Sequence, residues 1–305
     1  MAVPMRSTDF RSVVEPILNE VFDGVYDQRA DEWTQVCKER KGIPRAYHEE
    51  PILYGFNAAP EVPDGNPITY GQGGELFRQR YIYKVFGLAF ALTRVLVEDG
   101  DHISIGKIFS EHLAQSMIES KETLVAQIFN RAFNAAFPGG DGVSMNNAAH
   151  PLAAGTFSNL LTTPAALSQT SAEQMLIQIR SAVDNNGKKI RLNPVKFIVS
   201  PSNMFQAEVI VRSVLRTGGA NNDLNPIKSM GLLSQGVAVL SRVTSTTAWW
   251  IQNGNVQRGV QLMMRRTLQK AMEGDFETDS MRYKSTERYI PSWTDPRDNW
   301  GTPGL

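Results

Sequence analysis

Ser104-Ile105-Gly106-Lys107-Ile108-Phe109 opens a stretch that carries Leu113, Met117, Leu124, Ile128, Phe129, Ala132 and Phe133 on one stripe. Spacings of this kind put the apolar side chains on a single helical face. The pattern predicts one helix over residues 105–136, roughly 45 Å long at 1.5 Å per residue. Ser104 or Asp101 can cap its start, and Pro138-Gly139-Gly140-Asp141-Gly142 stops it. A helix of that length is a structural strut.

Working back from the strut, residues 68–97 read as strands. Gly71-Gln72-Gly73-Gly74 makes a flexible tip. After it Arg78, Arg80 and Lys84 alternate with Phe77, Tyr81, Tyr83 and Val85, which describes a long hairpin with a basic side. Residues 86–92 read as a strand running into a core, and Thr93 as the cap of a short helix through Glu98. Further back, Ile17, Leu18, Val21, Phe22, Val25, Tyr26, Trp33, Val36 and Cys37 form a helical stripe broken near residues 29–31. Pro44, Pro51, Pro60, Pro63 and Pro67 then forbid a long helix and describe an extended arm that lies on something else.

Beyond the strut lies a compact α/β unit. A helix is predicted over 172–183, ended by the turn Asn185-Asn186-Gly187. A buried strand follows at 197–200, a helix at 203–215, and a Gly/Asn-rich loop at 216–225 with Gly218, Gly219, Asn221 and Asn222. Strands at 237–243 and 248–252 complete the unit. Strands dominate again from Val260, ending in an aromatic, proline-rich tail over 293–305.

Composition narrows the function. The chain has 305 residues and a formal net charge of zero, and its 42% apolar and 20% charged content is that of an ordinary globular protein. Residues 1–64 hold 12 acidic against 7 basic side chains, and residues 138–264 hold 5 against 10. Such opposed segments invite self-association, although a fold that mixes its surface charge in space is the simpler expectation. The longest apolar run, Val85 to Leu92, is too short to span a bilayer, and the first residues lack the apolar core of a secretory signal. A single cysteine excludes an intrachain disulfide framework. A soluble intracellular product is expected.

The chemistry-bearing motifs fail on inspection. Gly187-Lys188-Lys189 and Gly106-Lys107-Ile108 lack the spacing of a phosphate loop, and Gly71-Gln72-Gly73 lacks the third glycine of a dinucleotide site. His48, His102, His112 and His150 have no metal-ligand spacing, and Cys37 reads as a small core residue. Lys188, Lys189 and Arg191 belong to no nucleic-acid module and read as a solvated hairpin. No enzyme, metal or cofactor is therefore expected. One pattern stands apart: Glu273, Asp275, Glu277 and Asp279 alternate along a strand and align four carboxylates. The bland reading is a solvated acidic edge. The sharper one is an inter-subunit contact with Arg78, Arg80 and Lys84 of a neighbouring copy, which sets register rather than affinity.

The order of these parts resembles the major capsid proteins of tailed bacteriophages and prophages with the Hong Kong 97-type fold, in the Mu-like head-subunit branch. The resemblance covers nearly the whole chain and rests on four stretches. They are Phe86-Gly87-Leu88-Ala89-Phe90 with Thr93-Arg94 and Val97-Glu98-Asp99; His150-Pro151-Leu152 with Thr156-Phe157-Ser158-Asn159-Leu160; Phe197-Ile198-Val199-Ser200-Pro201; and Met272-Glu273-Gly274-Asp275-Phe276 through Arg282-Tyr283-Lys284 to Trp293-Thr294-Asp295-Pro296-Arg297.

The resemblance implies an α+β fold divided as an N-terminal arm (1–63), an extended loop hairpin with its return strand (64–98), and a peripheral domain with the spine helix (99–147). An axial domain (148–255) and returning peripheral strands with the tail (256–305) complete it. It implies hexamers and pentamers of the chain itself, closed into an icosahedral head around double-stranded DNA that is touched non-specifically. Portal, scaffolding, protease and decoration proteins are the other partners it suggests. No membrane is involved, and the site is the virion, assembled in the host cytoplasm. Gly218, Gly219, Asn221 and Asn222 would lie near the capsomer axes. Some relatives join subunits by a lysine–asparagine isopeptide bond; Lys84 is the only lysine of this hairpin, sits away from its tip and has no matching asparagine, so a non-covalent shell is expected. Because the chain begins with its arm, scaffolding is expected on a separate chain. The competing readings are a soluble α/β enzyme with an N-terminal extension and another virion part such as a tail tube subunit.

Overall fold

The computed structural model describes residues 7–28, 31–42, 45–93, 95–96, 102–216, 223–275 and 280–305. In chain order its elements are α1 (Ser7–Gln28), α2 (Trp33–Val36), β1 (Lys38–Arg40), β2 (Tyr47–Tyr54), β3 (Gly74–Ile82), β4 (Lys84–Thr93) and α3 (His102–Asn130). The short pair β5 (His150–Pro151) and β6 (Thr156–Phe157) follows, then α4 (Gln169–Arg180), β7 (Pro194–Val199), α5 (Met204–Arg212) and α6 (Pro226–Ser229). The chain closes with β8 (Val237–Val239), β9 (Trp249–Asn253), β10 (Val260–Asp275), β11 (Ser280–Trp293) and β12 (Asn299–Thr302).

The strut is α3. It has 29 residues and buries Leu113, Ala114, Met117, Ile118, Val125, Ala126 and Phe129. It stops at Asn130, ahead of the predicted end, because tertiary contacts there outweigh helical period. Asn130 donates from Nδ2 to Arg242 O at 3.1 Å and accepts from Thr244 N at 2.9 Å, and Phe133 stacks on Trp250.

Two four-stranded sheets flank the helix. The first runs β1-β10-β11-β4, with β10 and β11 as a long antiparallel hairpin and β1 parallel to β10. Helices α1 and α3 cover one face of it: Val14, Leu18 and Phe22 meet Leu113, Met117, Met272 and Tyr283. Gly106 permits this approach, since a Cβ there would meet Leu18 at 3.2 Å and Leu92 at 3.4 Å. The second sheet runs β12-β9-β7-β8. Helices α4 and α5 pack on one of its faces through Ala172, Met175, Ile179, Ala207 and Ile210 against Phe197 and Trp249. Its other face, with Ile198, Ala238 and Trp250, shares a core with Phe129 of α3 and with Leu262 and Tyr289 of the first sheet. A capping box at Ser168 and Ser171 starts α4.

The structure corrects the reading of the arm and of the hairpin. Residues 38–40 and 47–54, read as part of an extended arm that lies on something else, are the strands β1 and β2, paired with β10 and β3. The strand pairing β3 is therefore β2, in the register Tyr47↔Ile82 to Tyr54↔Gly74, and residues 55–73 are the loop between them. The stretch 86–92 lies in β4, an edge strand that runs along two cores: Phe86 and Phe90 pack on Tyr289 and Tyr283, and Leu92 is buried, while its other side chains are exposed. Asn299–Thr302 is fully buried as β12 and pairs with Trp249–Gln252, so the aromatic, proline-rich tail contributes a strand to the second sheet. Near Thr93 only residues 95–96 are described, as helix; residues 94 and 97–101 lie outside the described residues.

Candidate assembly surface

The β2–β3 hairpin is held firmly at its base. Glu50 is buried and receives Gln261 Nε2 at 2.9 Å, Thr294 Oγ1 at 2.5 Å, and the Arg40 guanidinium. Tyr81 donates to Trp293 O at 2.5 Å and lies 2.7 Å from Thr294 Oγ1. Burial pushes the Tyr81 phenol well above its ordinary range. Halfway out, the Asn185-Asn186-Gly187 turn clasps the hairpin. Asn185 Nδ2 donates to Leu53 O at 2.7 Å and Lys188 Nζ to Phe56 O at 2.6 Å. Gly187 takes the left-handed conformation this turn requires, at φ 81°.

Beyond that clasp the loop is bare. Phe56, Ile68 and Tyr70 are 62%, 79% and 96% exposed. A firmly anchored hairpin that presents aromatic and aliphatic side chains to water marks an interaction surface.

The residues singled out in the sequence fall as follows. Arg78 donates to Glu75 at 2.8 and 2.9 Å and lies 3.5 Å from Glu49, and Arg80 bonds Glu49 at 2.6–2.7 Å. The hairpin's basic face thus carries its own counter-ions, and the Arg80 hydrogen bond holds Glu49 below the usual carboxylate range. Lys84 is exposed and lines a groove of about 440 Å³ with Arg131 and Trp293. On the acidic strip, Glu273 stands opposite Arg282, and Asp275 is ion-paired with Arg282. Glu277, Asp279, Gly218, Gly219, Asn221 and Asn222 lie outside the described residues.

The flanks of the 216–225 loop are nonetheless well built. Arg216 N donates to Asp223 O at 2.7 Å, and Leu215 bridges Leu224. Buried Asn225 donates to Ile210 O at 2.8 Å and Ser213 O at 2.9 Å while its Oδ1 caps α6 at Ile227 N. Sequence reasoning missed Asn225, although an Asn directly before a Pro-initiated turn of helix is a capping signal.

Two further networks tie the parts together. Lys121 Nζ lies 2.9 Å from Glu287 Oε2, and Tyr26 bonds the same carboxylate, so α1, α3 and β11 meet at one buried node. Arg242 joins Glu32, Glu119 and Glu122, and Glu122 accepts from Glu32 N at 2.7 Å and Trp33 N at 3.0 Å. Desolvation pushes the Glu122 carboxyl up to about 7, against the pull of these N–H donors and of Arg242. Cys37 is buried, and desolvation raises its thiol far from a nucleophile's range. His150 is buried with both ring nitrogens bonded, to Asp141 at 2.6 Å and Asn159 at 3.0 Å. Among the described residues no helix is long and apolar enough to cross a membrane, and no cluster of His, Cys, Asp and Glu is placed to hold a metal ion.

A long helix flanked by two sheets, with a projecting hairpin and a docked N-terminal helix, is the plan of the described residues. Solved structures of the same plan match over nearly the full length. The capsid structure of cyanophage P-SCSP1u superposes with a TM-score of 0.54 at 11% identity, over 91% of this chain and 89% of that one. The procapsid protein of bacteriophage JBD30 gives 0.53 at 13% identity, over 97% and 76%. The virus-like particle from Pyrococcus furiosus gives 0.52 at 10% identity, over 94% and 98%. No curated protein sequence matches. The family model for phage capsid protein matches residues 80–298, and the chain belongs to that family. It is a major capsid protein of phage heads with the Hong Kong 97-type fold, a structural component of the virion and not an enzyme.

Proposed function

We propose that this capsid protein is a head subunit of the Mu-like branch that closes an icosahedral shell around double-stranded DNA through hexamers and pentamers. In this reading residues 1–63 are the arm, 64–98 the extended loop with its return strand, 99–147 and 256–305 the peripheral domain, and 148–255 the axial domain. The loop at 216–225 faces the capsomer axes. Portal, scaffolding, protease and decoration proteins are further partners, DNA is contacted non-specifically, and the shell is non-covalent. The acidic strip Glu273, Asp275, Glu277 and Asp279 meets Arg78, Arg80 and Lys84 of a neighbour.

The observation that carries the reading is the loop at 55–73. Its ends are fixed at Tyr54 and Gly74 by the β2–β3 ladder, yet Ile68 and Tyr70 touch water on nearly all sides. Burying such side chains against a neighbour contributes about 1.5–3 kcal/mol each. A loop that is costly for a monomer becomes stabilising in a repeated head-to-tail contact. Negative-stain electron microscopy with size-exclusion light scattering tests the reading. Closed particles or capsomer rings are expected; helical tubes would overturn it in favour of a tail protein.

A further inference from the structure

The base of the β2–β3 hairpin roofs one end of the sheet face that is turned away from α1 and α3. Under this roof Glu50 takes Gln261 and Thr294, and Tyr81 and Tyr83 pack on Met263 and Ile290. Three arginines follow where the roof stops. The register sets Arg266 directly opposite Arg288, and the bulge between Met264 and Arg266 inserts Arg265 beside them. Alternation along β11 puts Arg288 on the side of Ile290, away from the buried Tyr289. Tyr83 feels the cluster: burial pushes its phenol up, and the charges of Arg40 and Arg265 act against that rise.

The cluster has no counter-charge of its own. Cross-strand neighbours stand about 5 Å apart at Cβ, and like charges there repel. Glu50 is already held by Arg40, Gln261 and Thr294. Among the described residues no carboxylate is ion-paired with Arg265, Arg266 or Arg288. Arg266 has a neutral side-chain partner, its Nη2 donating to Thr286 Oγ1 at 3.0 Å, which steadies the guanidinium and leaves the Thr286 hydroxyl proton to give.

Arg265 Nη1, Arg266 Nε, Arg288 Nε and the Tyr83 hydroxyl are buried without a hydrogen-bond partner. Buried polar groups are nearly always paired, so unpaired donors gathered on one patch call for an acceptor. The three arginines are themselves half-buried, and a small rotation of each guanidinium turns these N–H groups outward.

We infer that Arg265, Arg266 and Arg288, with the hydroxyls of Tyr83 and Thr286, form a binding site for a phosphate-class oxyanion. Three guanidinium forks and two hydroxyls offer more donors than one carboxylate can accept, whereas a phosphate brings more oxygens and more charge to the same space. Two sources carry that chemistry: free inorganic phosphate and the phosphodiester backbone of DNA. Every group of the site belongs to one subunit, so no neighbour is needed to complete it.

The test uses the full chain in phosphate-free buffer. Inorganic phosphate should raise the thermal melt progressively with concentration, and sodium chloride or sodium acetate at the same ionic strength should not. Arg266→Gln with Arg288→Gln should weaken phosphate binding, read by isothermal titration calorimetry, by at least about tenfold. Arg282→Gln, on the same strand but ion-paired with Asp275 outside the cluster, should leave it unchanged. Without phosphate the double variant should melt no lower than the unmodified chain, because it loses a like-charge pair. Should it fail to fold, Arg288→Lys keeps the charge without the fork and should still weaken binding measurably.

Fluorescence anisotropy with a double-stranded DNA oligonucleotide separates the two sources. DNA binding that the double variant loses and excess phosphate displaces assigns the site to the backbone; DNA binding that is absent or untouched by the variant assigns it to the free ion. Equal phosphate affinity in the double variant, a melt shift matched by acetate or chloride, or a chain that binds neither phosphate nor DNA overturns the site.

Discussion

Lys121 and Glu287 face each other at 2.9 Å with side chains only 6% and 1% exposed, and their pair fastens the spine helix to the long hairpin. The Tyr26 hydroxyl from α1 joins the same carboxylate, and the ammonium sits over the Tyr26 and Tyr289 rings. Removing one partner leaves a buried charge unpaired, which costs about 3–5 kcal/mol. Lys121→Met should therefore destabilise the subunit by that amount in denaturant unfolding, whereas Lys121→Met with Glu287→Gln should recover much of it. Strictly additive losses in the double-mutant cycle would show that the pair does not act as a unit.

Glu122 makes stability depend on pH. Its folded-state value of about 7 lies above the ordinary 4.5, so the folded chain prefers the protonated carboxyl. The contribution is complete below about pH 4.5 and is lost as pH rises through 7. Each unit of difference corresponds to about 1.4 kcal/mol. Glu122→Gln should thus gain on the unmodified chain by roughly 1–3 kcal/mol between pH 5 and pH 8, read from thermal melts across that range. A stability difference that does not move with pH would refute this role.

Asn225 is addressed by two carbonyls through its amide and caps α6 through its oxygen. Asn225→Asp replaces the donor with a second acceptor against Ile210 O and Ser213 O. It should destabilise more than Asn225→Ala, each by on the order of 1–3 kcal/mol. Equal melts for the two variants would argue that the amide donors contribute nothing.

The acidic end of the β10–β11 hairpin bears on assembly. Reversing Glu273, Asp275 and Glu277 to lysine should reduce shell formation, scored by electron microscopy, while far-UV circular dichroism of the subunit stays the same. Normal shells would leave this strip as a solvated edge.

The sequence made the local elements readable and hid the distant pairings. The stripe from Leu113 to Phe129 is helical in the structure because its period and its burial agree. The Asn185-Asn186-Gly187 turn was equally legible, since its chemistry is local. Strand β2 was not, because Pro51 reads as a breaker; β2 pairs only with β3, and a proline is tolerated on such an edge. Strand β12 was hidden too. It has four residues, follows Pro296, and gains its place only by reaching Trp249–Gln252 some fifty positions earlier. The cations Lys284 and Arg288 alternate visibly with Tyr283 and Tyr289, but the opposition of Arg266 to Arg288 depends on two bulges in β10 that no pattern announces.

The account turns on the 55–73 loop as the part that joins subunits. The most direct measurement is electron microscopy of the intact chain beside a variant in which residues 57–70 are replaced by a two-residue Asn-Gly turn. The account predicts closed shells for the intact chain and folded, unassembled subunits with an unchanged melt for the variant. Shells of normal size and yield from the shortened chain would contradict it.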